Sequence, residues 1–120
     1  MAADNYLFDC LNVSVGMRTV SALRRALCRF VRVNYTLWHR EFGGPIAEFI
    51  AYVNRVQDGL EQPRWWFIAA AVLRYDIRVT VRDTSVLIMY SSARSRVANY
   101  HKPILKLEMG HDNKYKLQRR

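Results

Sequence analysis

Two cysteines and three histidines are the side chains of this 120-residue chain best suited to nucleophilic or metal chemistry. Thiol catalysis needs a thiolate, favoured at a helix N-terminus where the backbone dipole lowers its pKa, and an imidazole within hydrogen-bond reach to carry the proton. Cys10 and His111 are the pair to weigh, because each lies within one helical turn's worth of residues from a short segment near one end of the chain. Those segments are Asp4-Asn5-Tyr6-Leu7-Phe8 and Asp112-Asn113-Lys114-Tyr115-Lys116-Leu117. His39 and His101 have no ligand-like spacing and there is no Gly-rich phosphate loop, so neither a metal nor a cofactor is expected.

The elements that must position these residues follow from periodicity. Leu7, Phe8, Leu11 and Val13 suggest a short buried helix that Gly16 ends. Thr19 or Ser21 can cap a second helix with Val20, Leu23, Leu27, Phe30 and Val31 on its apolar stripe. Residues 35–42 add a further turn or two before Gly43-Gly44-Pro45, and Ile46, Phe49, Ile50 and Val53 mark another helix. After a loop bracketed by Gly59 and Pro63, Trp66, Phe67, Ala70, Ala71 and Leu73 repeat with helical period as far as Tyr75. Ile77-Arg78-Val79-Thr80-Val81 alternates with period two, the mark of a half-buried strand. Residues 85–90, 103–109 and 114–118 are the remaining strand candidates, with a polar loop over 91–101. The expectation is one α+β domain over residues 1–120, with N-terminal helices packed on a small, mostly C-terminal β-sheet and a frayed basic end over 114–120.

Both end segments resemble the ovarian-tumour (OTU) family of cysteine proteases and deubiquitinases. That family's nucleophile block reads Asp-Gly-x-Cys-Leu-Phe, and its histidine block reads Asp-Asn-His-Tyr or a close variant. The resemblance extends to Thr19-Val20-Ser21-Ala22-Leu23-Arg24-Arg25-Ala26-Leu27, to Trp65-Trp66-Phe67-Ile68-Ala69-Ala70-Ala71-Val72-Leu73 leading into the first strand, and to the closing pair Pro103-Ile104-Leu105-Lys106-Leu107 and Tyr115-Lys116-Leu117. Asn5 replaces the usual Gly, and the Gly-rich turn normally beside the Trp is absent. The resemblance implies an OTU-like fold of the papain-like superfamily, with Tyr6 where the nucleophilic Cys belongs and Lys114 where the general-base His belongs.

A phenol, with an ordinary pKa of about 10, is a poor acyl-transfer nucleophile at neutral pH, and an ammonium with an ordinary pKa of about 10.4 accepts no proton. The resemblance therefore implies a catalytically degenerate member, a pseudo-deubiquitinase with no catalytic residue. The alternative is an active deubiquitinase or thiol protease using Cys10 and His111. That register forfeits the Leu-Phe that should follow the nucleophile, takes the thiol away from the helix start, and leaves His111 in a turn.

Nineteen Lys and Arg against ten Asp and Glu give a net charge of +9, enough to create a field that draws nucleic acid or acidic protein surfaces. Arg24, Arg25, Arg29 and Arg32, with Arg18 before them, are candidates for sequence-independent phosphate contact, and a solvated helix face explains them equally well. Trp38, Trp65 and Trp66, with Tyr90 and Tyr100, are candidate protein-interaction anchors wherever they are exposed. A protein partner is expected. Ubiquitin is compatible with the fold but disfavoured, because its recognition face is itself ringed by basic residues. Two cysteines without framework spacing point to a reducing, intracellular setting, cytoplasm or nucleus. No run approaches the ~18 apolar residues of a membrane span, so no membrane partner is expected.

Overall fold

The computed structural model describes residues 6–92, 103–112 and 114–118. Among these residues five helices precede four strands: α1 (Tyr6–Val15), α2 (Val20–Val33), α3 (Tyr35–Phe42), α4 (Ile46–Gln57), α5 (Trp66–Tyr75), β1 (Val79–Asp83), β2 (Val86–Tyr90), β3 (Leu105–Met109) and β4 (Tyr115–Leu117). Local chemistry sets several of the boundaries. Asn12 ties α1 to the turn after it, donating to the Met17 carbonyl at 3.0 Å and accepting the Met17 N–H at 2.8 Å. Thr19 caps α2 by accepting the Ala22 N–H at 3.0 Å. Gly43 closes α3 at φ 82°, a left-handed conformation that costs glycine little.

The sheet order is β2-β1-β3-β4. β1 and β3 run parallel, while β2 and β4 are antiparallel to their neighbours. Register places Val79, Val81, Leu105 and Leu107 on one face, all buried against the helices. The first strand therefore differs from its expectation in two ways. It begins two residues later than the alternating run, with Ile77 buried but outside the ladder, and it is central: Thr80, on the opposite face, is buried as well.

α1 packs on β3 and β4 as well as on α2 and α5, so the first helix sits against the last strand. Leu7, Phe8, Cys10 and Leu11 are its buried side. Phe8 meets Phe67 of α5 edge to face, with ring centroids 6.1 Å apart. Trp66 forms the centre of an aromatic cluster, stacked on Phe67 at 4.7 Å and flanked by Trp38 at 6.2 Å and Phe49 at 5.8 Å. Tyr52 anchors the α4–α5 loop to this cluster. Its hydroxyl donates to the Gln62 carbonyl at 3.1 Å and accepts the Arg64 N–H at 2.8 Å.

Candidate functional site

The contact of α1 with β4 brings the two ends of the chain together. Tyr6 is the first residue of α1, and Lys114 stands immediately before β4. Lys114 Nζ lies over the Tyr6 ring, 4.8 Å from its centroid. An ammonium at that distance is attracted by the negative face of the ring. The turn that delivers Lys114 is fixed locally: Asp112 Oδ1 accepts the Lys114 N–H at 3.2 Å, and the Gly110 N–H donates to the Lys114 carbonyl at 3.0 Å. Asp4, Asn5 and Asn113 of the two end segments lie outside the described residues.

Cys10 is one turn further along α1, on its core side and 6% exposed. Burial, with the Asp9 carboxylate adding, pushes its thiol up to about 11. Cys28 is likewise buried, with its thiol raised to about 12 chiefly by desolvation. His111 is exposed in the turn after β3, in a shallow pocket lined by Arg82, Asp83 and Glu108 rather than by Cys10. Among the described residues no hydrogen bond joins the two, and no group of three or more His, Cys, Asp or Glu side chains could hold a metal ion.

The five arginines divide between two roles. Arg24 lies over the Phe8 ring at 5.3 Å, and Arg32 donates to Gln57 Oε1 at 2.6 Å and to Asn54 Oδ1 at 3.2 Å, so both are spent on helix packing. Arg18, Arg25 and Arg29 are exposed; Arg25 and Arg29, four residues apart on α2, share one side of that helix, and Arg18 precedes its Thr19 cap. The tryptophans divide too, and the expectation is corrected for two of them. Trp38 and Trp66 are core residues, 8% and 1% exposed, because α3, α4 and α5 close over them; neither is available as an interaction anchor. Trp65, 49% exposed at the start of α5, is available. Tyr100 and His101 lie outside the described residues.

Trp65 belongs to a feature that residue spacing did not reveal. It lines a groove of about 740 Å³ with Arg64, Val81, Ile88, Tyr90 and Tyr115. Its ring lies 6.4 Å from that of Tyr90. Tyr115 is half-buried there, its hydroxyl raised to about 12 by burial, with Tyr90 and Asp83 adding. The signal in the sequence was the uncharged run Val86-Leu87-Ile88-Met89-Tyr90.

No protein-family model and no curated protein matches the sequence. The structure does find a counterpart: it superposes on the OTU domain of OTUD1 with a TM-score of 0.74, covering 98% of this chain and 80% of that one at 13% identity. The fold is that of an OTU domain. Helices and a small mixed sheet, arranged as the end segments implied, are thus established for this OTU-like chain. Among its described residues no helix is long and apolar enough to cross a membrane.

Proposed function

We propose that this OTU-like chain lacks protease chemistry and acts inside the cell as a protein-interaction or scaffolding module. The observation that supports this reading is the Tyr6–Lys114 contact at the start of α1, where the end segments align with a nucleophile and its base. A thiolate there would draw on the helix dipole, and an imidazole would take its proton. A phenol and an ammonium do neither, but they satisfy each other: the ring face offers the cation a partner beside the positive end of the helix. Cys10 is a poor substitute, because a buried thiol raised to about 11 stays protonated at neutral pH. The test is a ubiquitin probe carrying a C-terminal electrophile, with mass spectrometry of the adduct. No covalent adduct is expected, and an adduct abolished by Cys10→Ala overturns the reading.

One observation favours nucleic acid as a second class of partner. Arg18, Arg25 and Arg29 stay exposed on a chain of net charge +9. Such a surface binds phosphates without reading sequence, and its affinity falls steeply with salt. Binding to a duplex of arbitrary sequence that shows no salt dependence, or that survives charge reversal at all three arginines, removes this reading.

A further inference from the structure

Three aromatic rings from three elements line one groove: Trp65 ahead of α5, Tyr90 of β2 and Tyr115 of β4. Register puts Tyr90 and Tyr115 on the same face of the sheet as Val81, Asp83, Ile88 and Met109, with Asp83, Met109 and Tyr115 in one cross-strand row. The Trp65 and Tyr90 planes are inclined by 39°, with centroids 6.4 Å apart, so the rings meet at an angle instead of stacking. Tyr115, which Tyr90 and Asp83 approach closely enough to push its hydroxyl up, stays neutral at physiological pH and offers a ring rather than a charge.

The charges around the groove are unequally available. Asp83 is exposed, and its carboxylate has no ion-pair partner among the described residues. Arg64 also lines the groove, but its guanidinium is already engaged: it lies over Phe42 at 4.8 Å and Tyr52 at 5.3 Å, and donates to the Phe42 carbonyl at 3.3 Å. Lys114, beside Tyr115, has its ammonium over the Tyr6 ring, and Arg82 belongs to the opposite face of the sheet. Ring faces next to a carboxylate attract a cation, above all a weakly hydrated one that gives up its water cheaply, such as a quaternary ammonium. A net charge of +9 opposes a polycation, so the occupant carries one such head on a neutral or acidic body. The aliphatic floor of Val81, Ile88 and Met109 extends beyond the rings and suits the methylene stem of a lysine.

We infer that this groove binds a trimethylated lysine side chain of a partner protein, its head among Trp65, Tyr90 and Tyr115 beside Asp83 and its stem along Val81, Ile88 and Met109. The inference rests on the interaction-module reading and gives the partner's chemistry. The test presents the full chain with arrayed short peptides, each holding one central lysine between varied neutral or acidic flanks. That lysine is unmodified, trimethylated, or replaced by the neutral isostere with carbon in place of the ammonium nitrogen. The best trimethylated peptide is then titrated by fluorescence polarisation, with free choline as a competitor. It should bind at least ~10-fold more tightly than its unmodified and isosteric forms. Trp65→Ala should weaken it at least ~10-fold and Asp83→Asn severalfold, while Val13→Ala on α1 leaves binding unchanged. Circular dichroism checks that each variant is folded. An isostere or an unmodified lysine that binds as tightly overturns the inference, as does an array without binders or affinity indifferent to Trp65→Ala. Choline that binds as tightly as the peptide overturns it too, by assigning the groove to a small molecule. Labelling by the ubiquitin probe would sink the loss of catalysis and leave these affinities untouched.

Discussion

At the scale of single residues, the pairing of Tyr6 with Lys114 is a weak bond in an informative place. Cation–π contacts at exposed sites contribute about 0.5–1 kcal/mol, so Tyr6→Leu and Lys114→Met should each lower unfolding free energy by no more than about that amount. In a double-mutant cycle followed by urea denaturation, the two losses should not add, because one contact is removed twice. Full additivity would mean that the side chains do not interact in solution. The buried acids make a second prediction. Cys10, Cys28 and Tyr115 all hold their protons to higher pH in the fold, at about 11, 12 and 12, than in the unfolded chain. Unfolded chains therefore release protons first as pH rises, and stability is full at neutral pH but declines from about pH 9 upward. Urea midpoints measured from pH 7 to pH 10.5 should fall over that interval, and Cys10 should resist alkylation at pH 7.4 until the protein is unfolded.

The elements differ in how far local sequence determines them. Thr19 illustrates a legible boundary: a side chain that can cap precedes an apolar stripe, and the cap forms. Thr19→Ala should cost about 1 kcal/mol, read as a lowered melting temperature. β1 illustrates the opposite. Its alternation reads as half-buried, yet pairing with β2 on one side and with β3, some twenty-five residues downstream, on the other makes it central and buries Thr80. Non-local pairing leaves no trace in a window of five residues. The β1–β2 turn carries a further local conflict, since Thr84 sits at φ 50°, where a β-branched side chain is strained and glycine is not. Thr84→Gly should therefore stabilise the protein, by up to about 1 kcal/mol. A loss of stability would show that the Thr84 Oγ1 bond to the Asp83 carbonyl, at 2.7 Å, outweighs the strain.

For the whole molecule, the end segments carried the most information, because they singled out two residues, Tyr6 and Lys114, whose meeting depends on the entire fold. Tyr6 and Lys114 come together only because α1 packs against β4, and the OTU-like architecture accounts for that packing. Surface function was far less legible. Trp38 and Trp66 look like Trp65 in composition, and only the closure of three helices decides which one meets water. The arginines of α2 separate in the same way, Arg24 and Arg32 being drawn into packing by Phe8, Asn54 and Gln57. Charge reversal at Arg18, Arg25 and Arg29 should thus leave stability within about 0.5 kcal/mol while flattening any salt dependence of nucleic-acid binding. The most direct measurement remains the electrophilic ubiquitin probe applied to the unmodified chain. Intact mass unchanged after prolonged incubation is the predicted result, and an adduct mapped to Cys10, lost in both Cys10→Ala and His111→Ala, would contradict the account at its centre.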